Sequence, residues 1–215
     1  MTGLQDLLDR LEATHGPTGP PPSADGWELV LRENVAYLAD DATRDRCMAA
    51  LRDSVGLEPS AILGATDEQL AAVVAGPMRA SRTERLRRCA ELSMVGASWR
   101  AYPGIGRPGA ERIELFTGAR AILALDSNGL RVLYRLGYGE PSRTYDAAYR
   151  SAQRAAGAEL PADVAVLRRA HQLLRRHGQL TCTRAGPDCP GCPLRGQCAA
   201  ALSRRSLTEP YVTHR

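Results

Sequence analysis

The chain has 215 residues, 44% of them hydrophobic and 24% charged, and these ordinary proportions exclude a wholly disordered chain. No apolar run approaches the ~18 residues of a membrane span, and the amino terminus carries acids where a secretory signal carries bases, so we expect a cytoplasmic protein. The net charge is +4, but residues 1–78 hold 5 arginines against 13 acidic residues, which leaves the rest basic. This distribution is typical of a polyanion binder, although solvated helix faces explain the charge alone slightly better.

Apolar residues recur at helical spacing along the chain, and Gly and Pro mark the turns between the helices. Leu4, Leu7, Leu8 and Leu11 form the first stripe, and further helices are predicted within 27–39, 41–55, 66–75, 81–93, 108–118, 126–137, 144–157 and 162–178. Residues 121–125 could be a short strand or a tight connector. The pattern predicts an all-α fold of about ten helices.

A possible phosphate-binding turn lies between two of these helices, in Tyr102-Pro103-Gly104-Ile105-Gly106-Arg107. The two glycines permit positive φ values, and backbone amides of such a turn before a helix can hold a phosphate. Ile105 is expected to anchor the turn in the core. An ordinary turn stays an alternative, and the segment lacks the strand and third glycine of a dinucleotide-binding fingerprint.

Four of the six cysteines lie close together, at Cys182, Cys189, Cys192 and Cys198, with gaps of six, two and five residues. In a cytoplasmic protein this clustering favours metal ligands over disulfides. One compact, irregular loop of four thiolates suits a [4Fe-4S] cluster, whereas structural zinc sites more often use two separated Cys-x-x-Cys pairs. Zinc and disulfides remain alternatives. Cys47 and Cys89 lie in helical patterns and are expected to be buried packing residues.

Every one of the 28 basic residues is arginine, and the sequence contains no lysine. A guanidinium group stays protonated and is a poor nucleophile, so no side chain can form a Schiff base.

Together these motifs resemble the endonuclease III family of helix-hairpin-helix DNA glycosylases. The cysteine spacing, preceded by LLRRHGQLTC, resembles the family's [4Fe-4S] loop, and YPGIGR resembles its hairpin. Asp126, eighteen residues after Pro108 in LALDSNGLRVLYRLG, matches the family's essential aspartate. The similarity runs from about Trp27 to about Leu202.

The resemblance implies a two-lobed, all-α architecture with DNA bound in the cleft between the lobes. A six-helix barrel with the helix-hairpin-helix motif would span 21–120, and 1–20 with 121–202 would form the iron–sulfur cluster domain. Residues 203–215 would be a tail. A monomer that binds double-stranded DNA, without a membrane partner and associated with the nucleoid, is expected.

The departures from the family pattern point to the monofunctional branch. Bifunctional members carry a catalytic lysine where this chain has Pro108, so efficient strand cleavage is not expected. Asp126-Ser127-Asn128 and Glu33 resemble the corresponding residues of the mismatch adenine and thymine/uracil glycosylases. We do not expect the 8-oxoguanine-reading domain that the mismatch adenine glycosylases carry after the cysteine loop. The link before the hairpin is short, and Tyr37 replaces the family's intercalating glutamine.

Breaking an N-glycosidic bond passes through an oxocarbenium-like state, which needs one carboxyl group to aid protonation and another to stay ionised. Glu33 is the candidate acid, because burial on an apolar helix would favour its protonated form. Asp126 is the candidate for the ionised partner, and Asn128 would fix a water or a backbone phosphate. The alternatives are that Glu33 is a surface helix residue and that Asp126 is only a helix cap.

Flipping the target base requires a wedge that fills the gap in the stack. Tyr37 is the candidate wedge, with core packing as the alternative, and Met78 and Arg79 resemble the family's second wedge loop. The hairpin candidates for DNA binding are Gly104, Ile105, Gly106 and Arg107. Further candidate phosphate contacts are Arg131, Arg175, Arg176 and Arg195, while His171 and His177 are expected to pack or to contact phosphate.

The predicted function is that of a monofunctional DNA glycosylase of base excision repair. Two alternatives are a catalytically impaired protein of the same fold that recognises damaged DNA, and a bifunctional glycosylase/lyase. The sequence does not identify the base that is excised.

Overall fold

The computed structural model describes residues 3–202, and this part is all-α without a β-strand, as predicted. The predicted tail at 203–215 lies outside the described residues. The helices are α1 (Leu4–His15), α2 (Gly26–Val35), α3 (Asp41–Ser54), α4 (Pro59–Gly64), α5 (Asp67–Val73), α6 (Arg79–Met94), α7 (Arg107–Thr117), α8 (Ser127–Leu136), α9 (Tyr145–Gly157), α10 (Val164–Leu180) and α11 (Ala199–Leu202).

Side-chain caps set the start of most long helices. Asp25, Asp40, Asp126, Thr144 and Asp163 each accept a hydrogen bond from a backbone amide in the first turn of the helix that follows. These bonds satisfy amides that have no partner within the helix.

Three local features differ from the sequence pattern. Helix α2 ends at Val35, four residues before the predicted end, because the chain turns at 36–38 with Leu38 at φ 64°. Residues 121–125 form a connector and not a strand. Helices α4 and α11 have six and four residues, which is too short for a periodic signal.

The chain divides into two compact units, Pro22–Thr117 and a second one made of Met1–Pro21 with Gly118–Arg215. In the first unit, α2 packs against α3, α6 and α7, and α6 also packs against α4 and α5. Its core contains Leu31, Leu51, Ile62, Leu70 and Leu86, all fully buried. The roles predicted for the two units, a barrel and a cluster domain, stay predictions.

In the second unit, α10 is the central helix, with α8 and α1 packed against it and α9 against α8. The predicted leucine stripe of α1 is buried, with Leu4, Leu8 and Leu11 fully inaccessible to solvent. Among the described residues, the structure has no helix with the length and hydropathy needed to cross a membrane.

Gly178 brings the last turn of α10 against the first turn of α8. A Cβ atom added there would lie 2.7 Å from the carbonyl oxygen of Asn128 and 2.8 Å from its Cβ. Backbone atoms cannot yield as a flexible side chain does, so α8 and α10 can approach this closely only with glycine at this position.

We expect Gly178→Ala to destabilise the protein by about 1–3 kcal/mol, because the added methyl group forces the two helices apart. Gly157→Ala is the matched control, since open space surrounds Gly157 near the end of α9. That variant should be unchanged or about 0.5 kcal/mol more stable. Urea denaturation of both variants measures the difference, and equal effects would contradict the assigned contact.

Candidate active site and cysteine loop

Asp126 begins α8 as its N-cap. Its Oδ1 accepts a hydrogen bond of 2.8 Å from the amide of Gly129, and its Oδ2 accepts one of 3.2 Å from Nδ2 of Asn128. Oδ2 also forms an ion pair with the guanidinium group of Arg175 on α10. The carboxylate is 12% exposed, so these bonds fix it in one orientation. Asp126 is therefore a helix cap, and whether it also acts in catalysis stays a prediction.

The charges around Asp126 keep it ionised. Burial opposes ionisation, but Arg175, His171, the amide of Gly129 and the side chain of Asn128 outweigh it and hold the pKa of the carboxyl below its usual value. His171 itself is buried, with its Nδ1 2.9 Å from the carbonyl oxygen of Ala124. The negative charge is the property that stabilisation of a cationic sugar would require.

A continuous series of hydrogen bonds links Asp126 to the cysteine loop. Asn128 donates to Asp126 and accepts, at its Oδ1, a bond of 2.9 Å from Arg131. Arg131 donates in turn to the carbonyl oxygens of Cys182, at 2.9 Å, and of Gly178, at 2.7 Å. The side chain of Arg131 is buried and its hydrogen bonds lie within the protein. The prediction that Arg131 contacts a DNA phosphate is therefore wrong.

The four clustered cysteines line one pocket, together with Arg135 and Arg195. No group of three or more His, Cys, Asp or Glu side chains in residues 3–202 has the geometry to hold a single metal ion. A tetrahedral zinc site needs sulfur atoms about 3.8 Å apart, which follows from Zn–S bonds of about 2.3 Å. The four cysteines are therefore gathered in one pocket, but they do not form a ready single-ion site.

Polar groups surround the thiols of this pocket. Arg135, a buried residue, donates to Sγ of Cys182 at 3.3 Å and to the carbonyl oxygen of Thr183 at 2.8 Å. His177 lies with its Nε2 3.6 Å from Sγ of Cys192 and its Nδ1 3.0 Å from His15, and burial lowers its pKa to about 4. A guanidinium group beside a sulfur atom stabilises a thiolate.

The two isolated cysteines differ in burial. Cys89 is fully buried, as predicted, and burial raises the pKa of its thiol to about 12, whereas Cys47 is only half-buried.

Glu33 lies in the other unit, on α2, among arginines. Its Oε2 is 2.8 Å from Nη2 of Arg112, and its Oε1 is 3.6 Å from Nη2 of Arg44. The carboxylate is 15% exposed. Glu33 is therefore mostly buried, as expected, but its polar partners are guanidinium groups from α7 and α3, which the helical pattern did not predict.

Two buried side chains anchor the hairpin turn, and its backbone is tightly packed. Ile105 and Tyr102 are buried, and the amide of Ile105 donates to the carbonyl oxygen of Tyr102 at 3.1 Å. Gly104 has φ 74°, and a Cβ atom there would lie 3.4 Å from Asn34 and 3.5 Å from Tyr37. Helix α7 begins at Arg107.

Structures of known proteins share this arrangement of helices. No protein-family model matches the chain, and no curated protein matches it by sequence. Endonuclease III, in a trapped covalent intermediate with DNA, matches 96% of this chain and 100% of its own with a TM-score of 0.73 and 18% identity. A thermostable thymine-DNA glycosylase matches 93% of this chain and 96% of its own, with a TM-score of 0.69 and 14% identity. The chain has the helix-hairpin-helix DNA glycosylase fold.

The same fold relates the chain to an H. pylori 3-methyladenine DNA glycosylase bound to 1,N6-ethenoadenine. That match covers 83% of this chain and 98% of the other, with a TM-score of 0.62 and 14% identity. The thymine-DNA glycosylase and the 3-methyladenine DNA glycosylase are named for different bases and share this fold.

Within this fold, the predicted wedge residues have different exposures. The ring of Tyr37 is half-buried between Gly104 and Arg85, whose guanidinium carbon lies 5.0 Å from the ring centroid. Its neighbour Leu38 is 82% exposed, and Met78 is 76% exposed. Leu38 and Met78 also have positive φ values of 64° and 62°, which are uncommon for non-glycine residues. Sequence reasoning missed Leu38, because the helical pattern appeared to continue through it.

The two loops that carry Leu38 and Met78 are joined. The amide of Ala75 donates to the carbonyl oxygen of Val35 at 3.0 Å. Arg82 donates to the carbonyl oxygens of Tyr37, at 3.3 Å, and of Pro77, at 3.1 Å. Arg82 and the Ala75–Val35 hydrogen bond therefore link the backbone of the two loops.

Three more of the predicted DNA contacts, Arg79, Arg107 and Arg176, also have internal partners. Arg79 donates to the carbonyl oxygen of Ala71 at 3.3 Å, and Arg107 lies 3.7 Å from Glu111. Arg176 donates to the carbonyl oxygens of His15, at 2.9 Å, and of the next two residues, which assigns it to the packing of α1 against α10.

We expect Asp126→Asn to lower the free energy of unfolding at pH 7 by about 1–2 kcal/mol, because asparagine keeps the cap but loses the charge opposite Arg175. The carboxyl has a lowered pKa in the folded state, so its contribution is complete above the ordinary value of 3.8 and is lost as the pH falls through the lower folded value. The difference between variant and wild type should therefore shrink below about pH 4.

Urea denaturation at a series of pH values measures this effect. The matched control is Asp163→Asn, a change in the N-cap of α10, which should alter stability by less than about 0.5 kcal/mol. An Asp126→Asn effect that does not depend on pH would contradict the ionised state assigned to Asp126.

Proposed function

We propose that the chain is a monofunctional DNA glycosylase of base excision repair, a monomer that works on nucleoid DNA. It would hydrolyse the N-glycosidic bond of a flipped, damaged or mismatched base in double-stranded DNA and leave the abasic strand uncut. The observation that carries the proposal is the ionised, rigidly held carboxylate of Asp126 in a chain with the glycosylase fold.

Asp126 would stabilise the positive charge that develops on the sugar as the base departs. At about 4 Å and an effective dielectric constant of about 20, a carboxylate stabilises a unit cation by about 4 kcal/mol. Because the cap and the Asn128 bond hold the carboxylate in place, little of this energy is spent on reorienting it. Asn128 would orient the attacking water or a phosphate.

Protonation of the departing base is the second requirement, and Glu33 is the candidate from the resemblance. Its two carboxylate oxygens lie 2.8 Å from Arg112 and 3.6 Å from Arg44. We assign Glu33 to protonation of the base, either directly or through a water that it orients.

The absence of lysine supports hydrolysis over strand cleavage. No lysine occurs anywhere in the sequence, and Pro108 stands where the resemblance places the lyase residue. Water is then the nucleophile, and the reaction ends at the abasic site.

The unit Pro22–Thr117 would supply the DNA contacts. The hairpin amides around Gly104 and Gly106, with Arg107, would bind a backbone phosphate. Exposed apolar side chains on constrained backbone suit insertion between bases, so Leu38 joins Met78 as the proposed wedge. Tyr37 would support the hairpin beside it, since its ring packs on Gly104.

The cysteine pocket fits a [4Fe-4S] cluster held by Cys182, Cys189, Cys192 and Cys198. Each iron of such a cluster takes one thiolate, and the four cysteines that line the pocket would supply these four thiolates. When bound, the cluster would brace the loop and supply a redox-active centre. Arg135 would stabilise the negative charge on the sulfur of Cys182.

The wild-type protein should release a base from at least one duplex in a panel with single lesions or mismatches. The panel includes adenine opposite 8-oxoguanine, thymine or uracil opposite guanine, and alkylated or deaminated purines. Strand breaks should appear only after alkali treatment. Asp126→Asn should slow release by at least about 100-fold, whereas the cap variant Asp163→Asn should keep the wild-type rate.

Each remaining outcome identifies an alternative. A protein that binds the panel but releases no base would be a damage-recognition protein without catalysis. Undiminished release by Asp126→Asn would remove Asp126 from the mechanism. Strand cleavage without alkali, with a covalent adduct trapped by borohydride, would show a lyase and overturn the lysine argument.

Protein purified without oxygen should contain about four iron atoms per chain and absorb broadly near ~400 nm. Cys192→Ser should lose most of the iron, and Cys47→Ser should retain it, because Cys47 lies outside the pocket. A colourless protein with stoichiometric zinc would contradict the cluster.

A further inference from the structure

The bonds that hold Asp126 also cancel its charge. One carboxylate oxygen is committed to the α8 cap, and the other binds both Asn128 and the guanidinium group of Arg175. A carboxylate paired with a guanidinium is nearly neutral at a distance, so its attraction for a cationic sugar is weak. In this arrangement Asp126 shares its charge with Arg175, so the charge is not fully available to a cationic sugar.

Arg175 differs from its neighbours in the kind of partner it has. Arg176 binds backbone carbonyl oxygens, and Arg169 joins α10 to α1 through Asp9 and Glu12, both at 2.7 Å. Those bonds hold helices together. Arg175 instead binds Asp126, the carboxylate proposed to stabilise the sugar cation, and 20% of the Arg175 side chain is exposed.

A DNA phosphate is a chemical substitute for this carboxylate. Both are oxyanions that accept two parallel hydrogen bonds from a guanidinium group. If a phosphate replaced Asp126 as the partner of Arg175, the guanidinium group would stay paired. Asp126 would keep the remaining groups that favour its ionised form, which are His171, the amide of Gly129 and the side chain of Asn128.

We propose that Arg175 is a phosphate-binding residue that is stored on Asp126 in the free protein and passes to the DNA backbone when a duplex binds. The inference rests on the proposed function, because the exchange affects catalysis only if Asp126 stabilises the sugar cation. Substrate DNA would thereby uncover the charge of Asp126 only when a strand lies beside it.

The test follows the titration of the Asp126 carboxyl carbon by NMR, with the signal assigned through its loss in Asp126→Asn. In the free protein, Arg175→Leu should raise the proton affinity of Asp126 at least about tenfold over wild type. In complex with a short undamaged duplex at low salt, the two proteins should differ by less than about twofold, because Arg175 has left in the wild type. A tenfold difference that persists in the complex would overturn the exchange.

The salt dependence of duplex binding gives a second measurement. Loss of one phosphate contact should reduce the slope of log K against log[salt] by about 0.9 in Arg175→Leu. Arg150→Leu is the matched control, because it removes an arginine from an exposed pair with Asp146 and should leave the slope and the Asp126 titration unchanged. Arg175→Lys retains the charge and should keep the wild-type slope, which guards against a folding defect. An unchanged slope in Arg175→Leu would exclude the phosphate contact.

These measurements use undamaged DNA, so they do not depend on base release. A protein that releases no base from the lesion panel but shows the exchange would disprove the proposed glycosylase alone. Base release together with an unchanged slope would disprove the exchange alone.

Discussion

The contact between the first turn of α8 and the last turn of α10 determines the geometry of the whole candidate site. Gly178 leaves no gap between the backbone of the two helices, so Asp126 at the start of α8 faces Arg175 on α10. The cysteine loop begins where α10 ends, and Arg131 returns from α8 to bind its first cysteine. One close approach therefore positions the carboxylate, its cation and the loop, and Arg131 lies buried between them, with hydrogen bonds to Gly178 and Cys182.

Some arginines of this unit stabilise the fold, although arginine is also the residue type proposed to bind DNA. Arg131 and Arg135 are almost completely buried, and burial of a charge is costly unless hydrogen bonds compensate for it. The planar guanidinium group meets this need by donating to several carbonyl oxygens at once, as Arg131 does toward Gly178 and Cys182. The basic charge of the carboxyl-terminal part thus overstates the surface available to a polyanion.

The sequence predicted those features that depend on local pattern. Helical periodicity identified the long helices, and the spacing of Cys182 and its partners identified a loop whose thiols do line one pocket. Features that arise from tertiary contacts were not predictable. Arg44 and Arg112, which pair with Glu33, lie 11 and 79 residues after it in the sequence. The exposure of Leu38 depends on a turn that its residue types do not predict. Asp126 lies between these cases, because the sequence predicted its position as a helix N-cap but not its ion pair with Arg175.

Both candidate carboxylates have guanidinium partners in the free protein, Asp126 with Arg175 and Glu33 with Arg112. Enzymes that use two carboxyl groups for acid and base steps give them contrasting environments, which separate their proton affinities. Here the two carboxylates have the same kind of partner, a guanidinium group. A duplex brings many phosphates that compete for exposed guanidinium groups, and the competition need not affect the two pairs equally. Under the proposed function, a lone damaged nucleoside brings no neighbouring phosphates and would leave the Asp126–Arg175 pair intact.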